Sequence, residues 1–415
     1  MTMIIKRDYY LQQLISSKSN NLIKIVTGIR RSGKSFLLFN LFHNHLIETG
    51  ISEDHIIEIA LDDRLNKNLR DPDVILQHIH ERIIDDKLYY IILDEVQMID
   101  EFTDVLNSLL HIRNADVYVT GSNSKFLSKD VVTEFRGRGD EIHLFPLSFA
   151  ELYNSIGGDK FELWKSYYTY GGLPGILELD SEKKKAAYLR SLHETVYLKD
   201  IIERNNLKNS EEFMELMRVM ASCIGSPCNP SKLENTFKSV KNETLDRKTI
   251  SKYLSYMEDA FLIEKSMRYD IKGRKYIGTL SKYNFQDIGL RNALLNFRQV
   301  EENHIMENVI YNELRLRGFC VDVGMVEART AKERKQLEVD FVANMADRRY
   351  YIQSAFAMPD DDKREQECAS LKKIDDSFKK IIIMRDDIKP YHDNNGFYIV
   401  GLMDFLLKPD LIEQL

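Results

Sequence analysis

A short segment near the amino end combines glycine, lysine and serine at the spacing of a phosphate-binding loop. Residues 28–35 fit the pattern GxxxxGK[ST] in full. Gly28 and Gly33 permit backbone angles that turn successive N–H groups inward, which makes an anion nest at a helix amino terminus. In this pattern the lysine reaches the β- and γ-phosphates and the serine hydroxyl binds Mg²⁺, so ATP and Mg²⁺ are the expected cofactors. The predicted nucleotide-contacting residues are Gly28, Ile29, Arg30, Arg31, Ser32, Gly33, Lys34 and Ser35.

Two adjacent acids follow a predicted buried strand further along the chain. Residues 89–93 are apolar or aromatic, and Asp94 and Glu95 come directly after them. An aspartate at this place completes the Mg²⁺ shell, and a glutamate beside it can act as the general base that polarises water. We therefore predict Ser35 and Asp94 as metal ligands and Glu95 as the base of a nucleotide hydrolase.

These residues need a scaffold that brings strand ends together, and the surrounding pattern predicts one. Short apolar runs rich in β-branched or aromatic residues indicate buried strands, and helical patterns separate them. Such an alternation implies right-handed crossovers and a parallel sheet covered on both faces, which is an α/β fold. The predicted strands are 22–27, 55–61, 89–93, 116–120 and 141–145, and the predicted helices are 35–48, 73–84 and 101–112.

Several motifs together resemble a widespread group of prokaryotic AAA+ type ATPases. The segments that carry the resemblance are GIRRSGKS, LDEVQ, VYVTGSNS and FRGRGDEIHLFPLSFAEL, with residues 170–174 and 197–201 in agreement. In that group a P-loop domain is fused to a C-terminal region related to PD-(D/E)xK nucleases. The resemblance covers nearly the whole chain.

The resemblance implies further roles at the nucleotide site. Ser122 or Asn123, after the 116–120 strand, matches the polar sensor that orients the attacking water. Arg138, with Arg136 as the other candidate, resembles an arginine finger. Such an arginine stabilises charge on the transferred phosphoryl group, and when a neighbour supplies it hydrolysis depends on assembly. The expected partner is therefore a second copy of the chain in a homo-oligomer, of which a hexameric ring is one form. The alternative role for this arginine is an ion pair with a surface carboxylate.

The middle of the chain is mostly helical and contains a basic segment. Helices at 211–224, 230–239 and 246–259, followed by strands at 261–269 and 274–284, have the order of a winged helix. Residues 231–285 contain twelve Lys/Arg and seven Asp/Glu, although the whole protein has a formal net charge of −7. This local excess predicts contact with DNA phosphates, and a protein-binding surface is the alternative. The expected DNA-contacting residues are Lys248, Lys252, Lys272, Arg274 and Lys275.

The C-terminal part resembles the PD-(D/E)xK fold but departs from its motif. Glu307 on a predicted helix and Asp340, in the segment 338–341, match acids that hold Mg²⁺ in such nucleases. The third motif should read (D/E)xK, and here Gln353 and Ala355 stand in place of the acid and the lysine. Glutamine brings no charge to a metal and alanine cannot polarise water, so nuclease activity is not expected.

Composition bounds the remaining possibilities. A length of 415 residues with 43% hydrophobic and 30% charged residues indicates a folded chain of several domains. We expect an ATPase domain at 1–150, a helical lid or connector at 151–207, a winged helix at 208–285 and a degenerate nuclease-like domain at 286–415. The first residues do not resemble a signal peptide, and no run of 18 apolar residues is present, so we expect a cytoplasmic protein without membrane partners.

The favoured hypothesis is a Mg²⁺-dependent ATPase that works as an oligomer and binds DNA through its C-terminal half. A second hypothesis is a nucleotide-switched scaffold that binds protein partners in signalling or defence. A third, an ATP-regulated nuclease, requires that other residues of the fold replace Gln353 and Ala355.

Overall fold

The computed structural model describes residues 5–121, 137–208, 210–241, 245–329 and 334–414. These residues belong to two compact units. The first unit comprises Met1–Pro146 together with Asp259–Phe261, and the second comprises Leu147–Glu258 together with Leu262–Leu415. The α/β class predicted from the sequence is confirmed by the sheets of both units.

The first unit is built on a five-stranded sheet in the order β2-β3-β4-β1-β5. Every pairing within it is parallel, so the carboxyl ends of β1, β3 and β4 lie at one edge of the sheet. The bounds of the strands are β1 Ile23–Thr27, β2 Ile56–Ala60, β3 Tyr89–Asp94, β4 Ala115–Thr120 and β5 Gly139–His143.

Both faces of this sheet are covered, as the apolar strand pattern predicted. Side chains alternate along the strands, so Ile25 and Ile91 pack into a cluster on one face, whereas Val26 and Ile92 pack on the other. The helices that cover the sheet include Asp8–Ser16, Pro72–Arg82, Phe102–Leu109 and a continuous helix made of Lys34–Phe36, the π-helical Leu37–Phe42 and His43–Glu48. Single turns of 3₁₀ helix lie at Glu53–His55 and Val96–Met98, and a longer 3₁₀ segment lies at Arg64–Arg70.

Helices precede the sheet of the second unit, in agreement with the mostly helical pattern predicted for the middle of the chain. Their bounds are Phe149–Ile156, Lys160–Tyr170, Pro174–Ile176, Glu182–Leu192, His193–Leu198, Lys199–Asn205, Ser210–Ser222, Pro230–Thr236, Phe237–Lys241 and Arg247–Asp259. Later helices are Ile288–Leu294, Glu302–Leu316, Asp361–Cys368, Leu371–Lys373, Leu402–Leu407 and Leu411–Gln414.

An eight-stranded mixed sheet in the order β12-β13-β11-β10-β9-β8-β6-β7 completes the second unit. Its strands are β6 Ile263–Asp270, β7 Lys275–Phe285, β8 Cys320–Arg329, β9 Arg334–Met345, β10 Arg348–Ala355, β11 Lys379–Met384, β12 Tyr391–His392 and β13 Tyr398–Gly401. The expected hairpin of the winged helix is β6 and β7. Because β6 also pairs with β8, this hairpin and the C-terminal strands share one sheet. The domain boundary expected at residue 285 lies at the end of β7.

The turn at residues 170–174 is held by a buried aspartate of the same unit. Asp287 accepts hydrogen bonds from the N–H groups of Gly172 and Leu290. Gly171 has φ +75°, and a Cβ atom there would lie 2.5 Å from the Asp287 carboxylate oxygens. Backbone geometry and packing therefore require glycine at position 171, and this explains one residue of the 170–174 segment. No helix in the described ranges is long and apolar enough to cross a membrane.

Candidate functional site: a nucleotide pocket at the sheet edge

The glycine-rich loop lies where its sequence predicts, between the end of β1 and the helix that begins at Lys34. Gly28 has φ +136°, and a Cβ atom there would lie 2.2 Å from the backbone oxygen of Leu144. Gly33 has φ +100° and directly precedes the helix. Both positions therefore need glycine, and the loop presents its N–H groups at a helix amino terminus.

The lysine of the loop is buried and turned toward the loop backbone. Lys34 Nζ donates hydrogen bonds to the carbonyl oxygens of Gly28, at 3.0 Å, and Ile29, at 3.1 Å. Burial lowers the pKa of Lys34 to about 8, although the nearby Glu95 and Asp94 carboxylates favour the charged amine. A phosphate group offers this amine stronger acceptors than two neutral carbonyls.

The predicted metal ligands meet at the carboxyl edge of the sheet. Asp94 ends β3, is buried and hydrogen-bonds with the side chains of Ser35 and Thr120. Burial raises the pKa of Asp94, and these two hydrogen bonds oppose that rise. The Ser35 hydroxyl and the Asp94 carboxylate are hard oxygen ligands, which suit Mg²⁺. The residues present therefore fit a Mg²⁺ ion bound together with nucleotide phosphates.

Glu95 is held by contacts to two neighbouring residues. It adopts a left-handed backbone conformation with φ +54°. Its backbone N–H donates to Thr120 Oγ1 at 2.8 Å, and its carboxylate accepts a hydrogen bond from the Gln97 side-chain amide. Thr120 Oγ1 in turn donates to Asp94 Oδ1, so one hydroxyl joins both acids.

Thr120 and Arg7 were not predicted as parts of this site. Thr120 ends the strand next to β3, and the meeting of parallel strand ends is the signal that could have identified it. Arg7 is buried and donates to the backbone oxygens of Ser32, at 3.2 Å, and Phe145, at 2.8 Å. It thereby fixes the loop to the segment after β5, and no local sequence pattern marks it for that role.

The predicted sensor and finger residues are only partly covered by the structure. Ser122, Asn123 and Arg136 lie outside the described residues. Arg138 is exposed, and its carbonyl oxygen accepts a hydrogen bond from Ile23 N at the amino end of β1. The chain's own P-loop follows the opposite end of β1, so the structure does not bring Arg138 to it.

The residues predicted to contact DNA are all exposed. Asp246 caps the helix Arg247–Asp259 by accepting hydrogen bonds from the N–H groups of Lys248 and Thr249. The inner face of this helix, formed by Ile250, Tyr253, Leu254 and Met257, is buried. Lys248 and Lys252 lie on the outer face of that helix, and Lys272, Arg274 and Lys275 lie at the turn between β6 and β7.

The acids that resemble nuclease ligands surround a lysine that was not predicted. Lys282 Nζ on β7 lies 2.5 Å from Glu307 Oε1, 2.7 Å from Glu338 Oε1 and 3.9 Å from Asp340 Oδ1. We call these four residues the lysine–carboxylate cluster. Burial and the Glu307 carboxylate raise the pKa of Asp340.

The prediction that Glu307 and Asp340 supply a metal site gains no support from this geometry. Within the described part of the chain, no group of three or more His, Cys, Asp or Glu side chains could hold a metal ion. Ala355, at the place of the expected lysine, is fully buried, and Ser354 N donates to Asp340 Oδ2 at 2.8 Å.

Comparisons with known proteins agree with the geometry of the first unit. Residues 20–153 match a family model described as an AAA domain, and residues 161–301 match a domain of unknown function, DUF8612. An uncharacterised protein of Haemophilus influenzae is 33% identical over 414 residues, covering 98% of this chain and 99% of that protein. A second uncharacterised protein, from Methanocaldococcus jannaschii, is 29% identical and covers 92% of this chain and 86% of its own length.

Among solved structures, Cdc6p from Pyrobaculum aerophilum matches with 12% identity and a TM-score of 0.31. That match covers 74% of this chain and 97% of the other.

Proposed function

Because the chain belongs to the same family as the Haemophilus influenzae protein and its residues 20–153 match an AAA domain, we propose that it hydrolyses ATP with Mg²⁺ at the P-loop edge of the first unit. The observation that carries the proposal is the hydrogen-bonded arrangement of Asp94, Thr120 and Glu95 beside Lys34. A P-loop alone binds nucleotide, whereas an ordered glutamate next to the metal-binding aspartate supplies a base for hydrolysis.

Each residue of the pocket has a distinct task in this proposal. The Lys34 amine exchanges two backbone carbonyls for the β- and γ-phosphates. Ser35 and Asp94 would hold Mg²⁺, and the ion would neutralise charge that develops on the phosphate oxygens. The Glu95 carboxylate accepts the proton of the attacking water, and Thr120 fixes the backbone from which Glu95 projects.

Replacing the base tests this proposal directly. Glu95→Gln is expected to lower kcat at least about 100-fold while ATP still binds, because the amide keeps the shape but cannot accept the proton. Glu101→Gln is the matched control, since Glu101 is an exposed acid nearby with a similar backbone, φ +50°. Steady-state phosphate release and binding of a fluorescent ATP analogue are the measurements. Undiminished turnover by Glu95→Gln would remove Glu95 as the base.

We also propose that the second unit binds DNA through its basic segment and that the protein acts as an oligomer. Five exposed cations of that segment, Lys248, Lys252, Lys272, Arg274 and Lys275, support the DNA contact. Exposed lysines and arginines bind phosphates by releasing counterions, so the affinity falls steeply as salt increases.

Charge removal tests the DNA contact. The variant Lys248→Ala/Lys252→Ala/Arg274→Ala is expected to bind duplex DNA more weakly. A plot of log affinity against log salt concentration should also be less steep, with a slope smaller in magnitude by roughly two to three, because each phosphate that a cation neutralises contributes about 0.9 to that slope. Lys183→Ala/Lys184→Ala/Lys199→Ala removes the same charge from exposed positions outside the segment and serves as the control. Fluorescence anisotropy at several salt concentrations gives both values. If wild-type protein binds no DNA and DNA leaves the ATPase rate unchanged, the protein-binding scaffold becomes the better hypothesis.

A further inference from the structure

The lysine–carboxylate cluster joins three elements of the second unit by charge. Lys282 comes from β7, Glu307 from the helix Glu302–Leu316, and Glu338 and Asp340 from β9. Only 5% of the Lys282 side chain is exposed, compared with 13% for Glu307 and 30% for Glu338. A buried ammonium group is stable only when opposite charges surround it, and the two short contacts supply them.

We propose that the Lys282 ammonium group takes the place of a divalent cation among Glu307, Glu338 and Asp340. The lysine–carboxylate cluster then binds no metal ion and has no nuclease activity. A Mg²⁺ ion shared by these carboxylates must lie about 2.0–2.1 Å from their oxygens. Lys282 Nζ lies 2.5 and 2.7 Å from the Glu307 and Glu338 oxygens and already fills that point. Two cations cannot occupy the same point, and like charges placed side by side repel each other, so a metal ion could bind there only if the ammonium group moved away.

Fixed backbone on both sides keeps Lys282 in this position. The preceding Ser281 exchanges two backbone hydrogen bonds with Cys228, at 2.9 and 3.0 Å. After Lys282, the amide of Asn308 binds both the N–H and the C=O of Phe285, each at 2.7 Å. The amine therefore cannot leave the carboxylates by a shift of the strand alone.

The changed third motif fits the same interpretation. An acid at position 353 and a lysine at position 355 are the groups that metal-dependent cleavage requires, and Gln353 and Ala355 supply neither. Glu307 and Glu338 alone bring two negative charges against one ammonium, so the cluster has an excess of negative charge even when Asp340 is protonated. Removing the ammonium alone should therefore turn the pocket into a site that attracts a divalent cation.

Lys282→Met tests the proposal, because methionine retains an unbranched apolar side chain but has no charge. We would titrate Mn²⁺ into the full chain by calorimetry without nucleotide, in an Asp94→Asn background that removes a ligand of the P-loop metal. The Lys282→Met protein is expected to gain one saturable Mn²⁺ site, and adding Glu307→Gln should abolish it. A folded Lys282→Met protein that binds no more Mn²⁺ than its parent overturns the proposal.

A second measurement does not depend on the folding of the Lys282 variant. In the same background, proteins with the original Glu307 and with Glu307→Gln are expected to give identical Mn²⁺ titrations and no cleavage of plasmid DNA. A Mn²⁺ site or a cleavage activity that Glu307→Gln removes would contradict the proposal and favour an active nuclease. Both measurements are independent of ATP hydrolysis, so failure of the proposed ATPase would leave them interpretable.

Discussion

The buried amine of Lys34 is expected to make nucleotide binding sensitive to pH. In the free protein burial lowers the pKa of Lys34 to about 8, whereas phosphate oxygens favour the charged amine and raise that pKa when ATP binds. Above pH 8 the free amine loses its proton, and binding must then take a proton up. ATP affinity is therefore expected to be nearly constant up to about pH 7.5 and to fall at higher pH, by at most about tenfold per unit.

Titration of a fluorescent ATP analogue between pH 7 and 9.5 measures this dependence. Lys34→Met is the control, because it should bind more weakly but with little change over the same range. An affinity that stays constant to pH 9.5 in the wild-type protein would show that Lys34 keeps its proton.

The hydroxyl of Thr120 is expected to affect turnover more than nucleotide binding. It hydrogen-bonds with both Asp94 Oδ1 and the N–H of Glu95, so we expect it to act by positioning the two acids. Thr120→Val keeps the side-chain shape and removes both hydrogen bonds. We expect kcat to fall about 10- to 100-fold, with a much smaller change in the KM for ATP. Thr120→Ser should restore most of the rate; equal loss in both variants would indicate a packing role for the methyl group instead.

At the scale of elements, local sequence patterns predicted the strands and helices to within a few residues. The strand predicted at 22–27 is β1, Ile23–Thr27, and the helix predicted at 246–259 is Arg247–Asp259. Such patterns indicate which face of a helix or strand is buried, and a few neighbouring residues are enough to show it. Lys24 inside β1 departs from the pattern, and its buried ion pair with Asp116 on β4 explains how the strand accommodates it.

Contacts between distant parts of the chain could not be predicted in this way. Lys282 meets Glu338 across 56 residues of sequence, and Arg7 meets Phe145 across 138. The pairing of β6 with β8 likewise depends on which strand edges remain available after the local hairpins form. The sequence therefore predicted the P-loop and the two acids of the candidate nucleotide site, whereas Thr120, Arg7 and Lys282 could be identified only from the fold.

At the scale of the whole molecule, the position of Arg138 bears on assembly. Arg138 lies beside Ile23, and the P-loop begins after Thr27, about 13 Å away along β1 at the rise of a parallel strand. An arginine side chain is too short to cross that distance to phosphates held at Lys34. If Arg138 stabilises the transition state, a second copy of the chain must supply it.

Mixing two inactive variants tests this requirement. Arg138→Ala keeps Glu95 but lacks the finger, and Glu95→Gln keeps Arg138 but lacks the base. We expect each alone to hydrolyse ATP at least about 100-fold more slowly than the wild-type protein. In a mixed oligomer some pockets combine an intact Glu95 with an intact Arg138 from the neighbour, so the mixture should regain a measurable part of the rate. The rate should rise with total protein concentration, as an assembly-dependent site requires.

Arg113→Ala provides a matched control for this mixing experiment, since Arg113 is another described arginine of the first unit without a predicted role at the nucleotide. Arg113→Ala should hydrolyse ATP at the wild-type rate alone, and mixing it with another active protein should not change its rate. Full activity of Arg138→Ala would exclude Arg138 as the finger and direct attention to Arg136. Loss of activity in Arg138→Ala without recovery on mixing would mean that Arg138 acts within its own chain, by supporting the edge of β1 and β5 rather than by contacting phosphate.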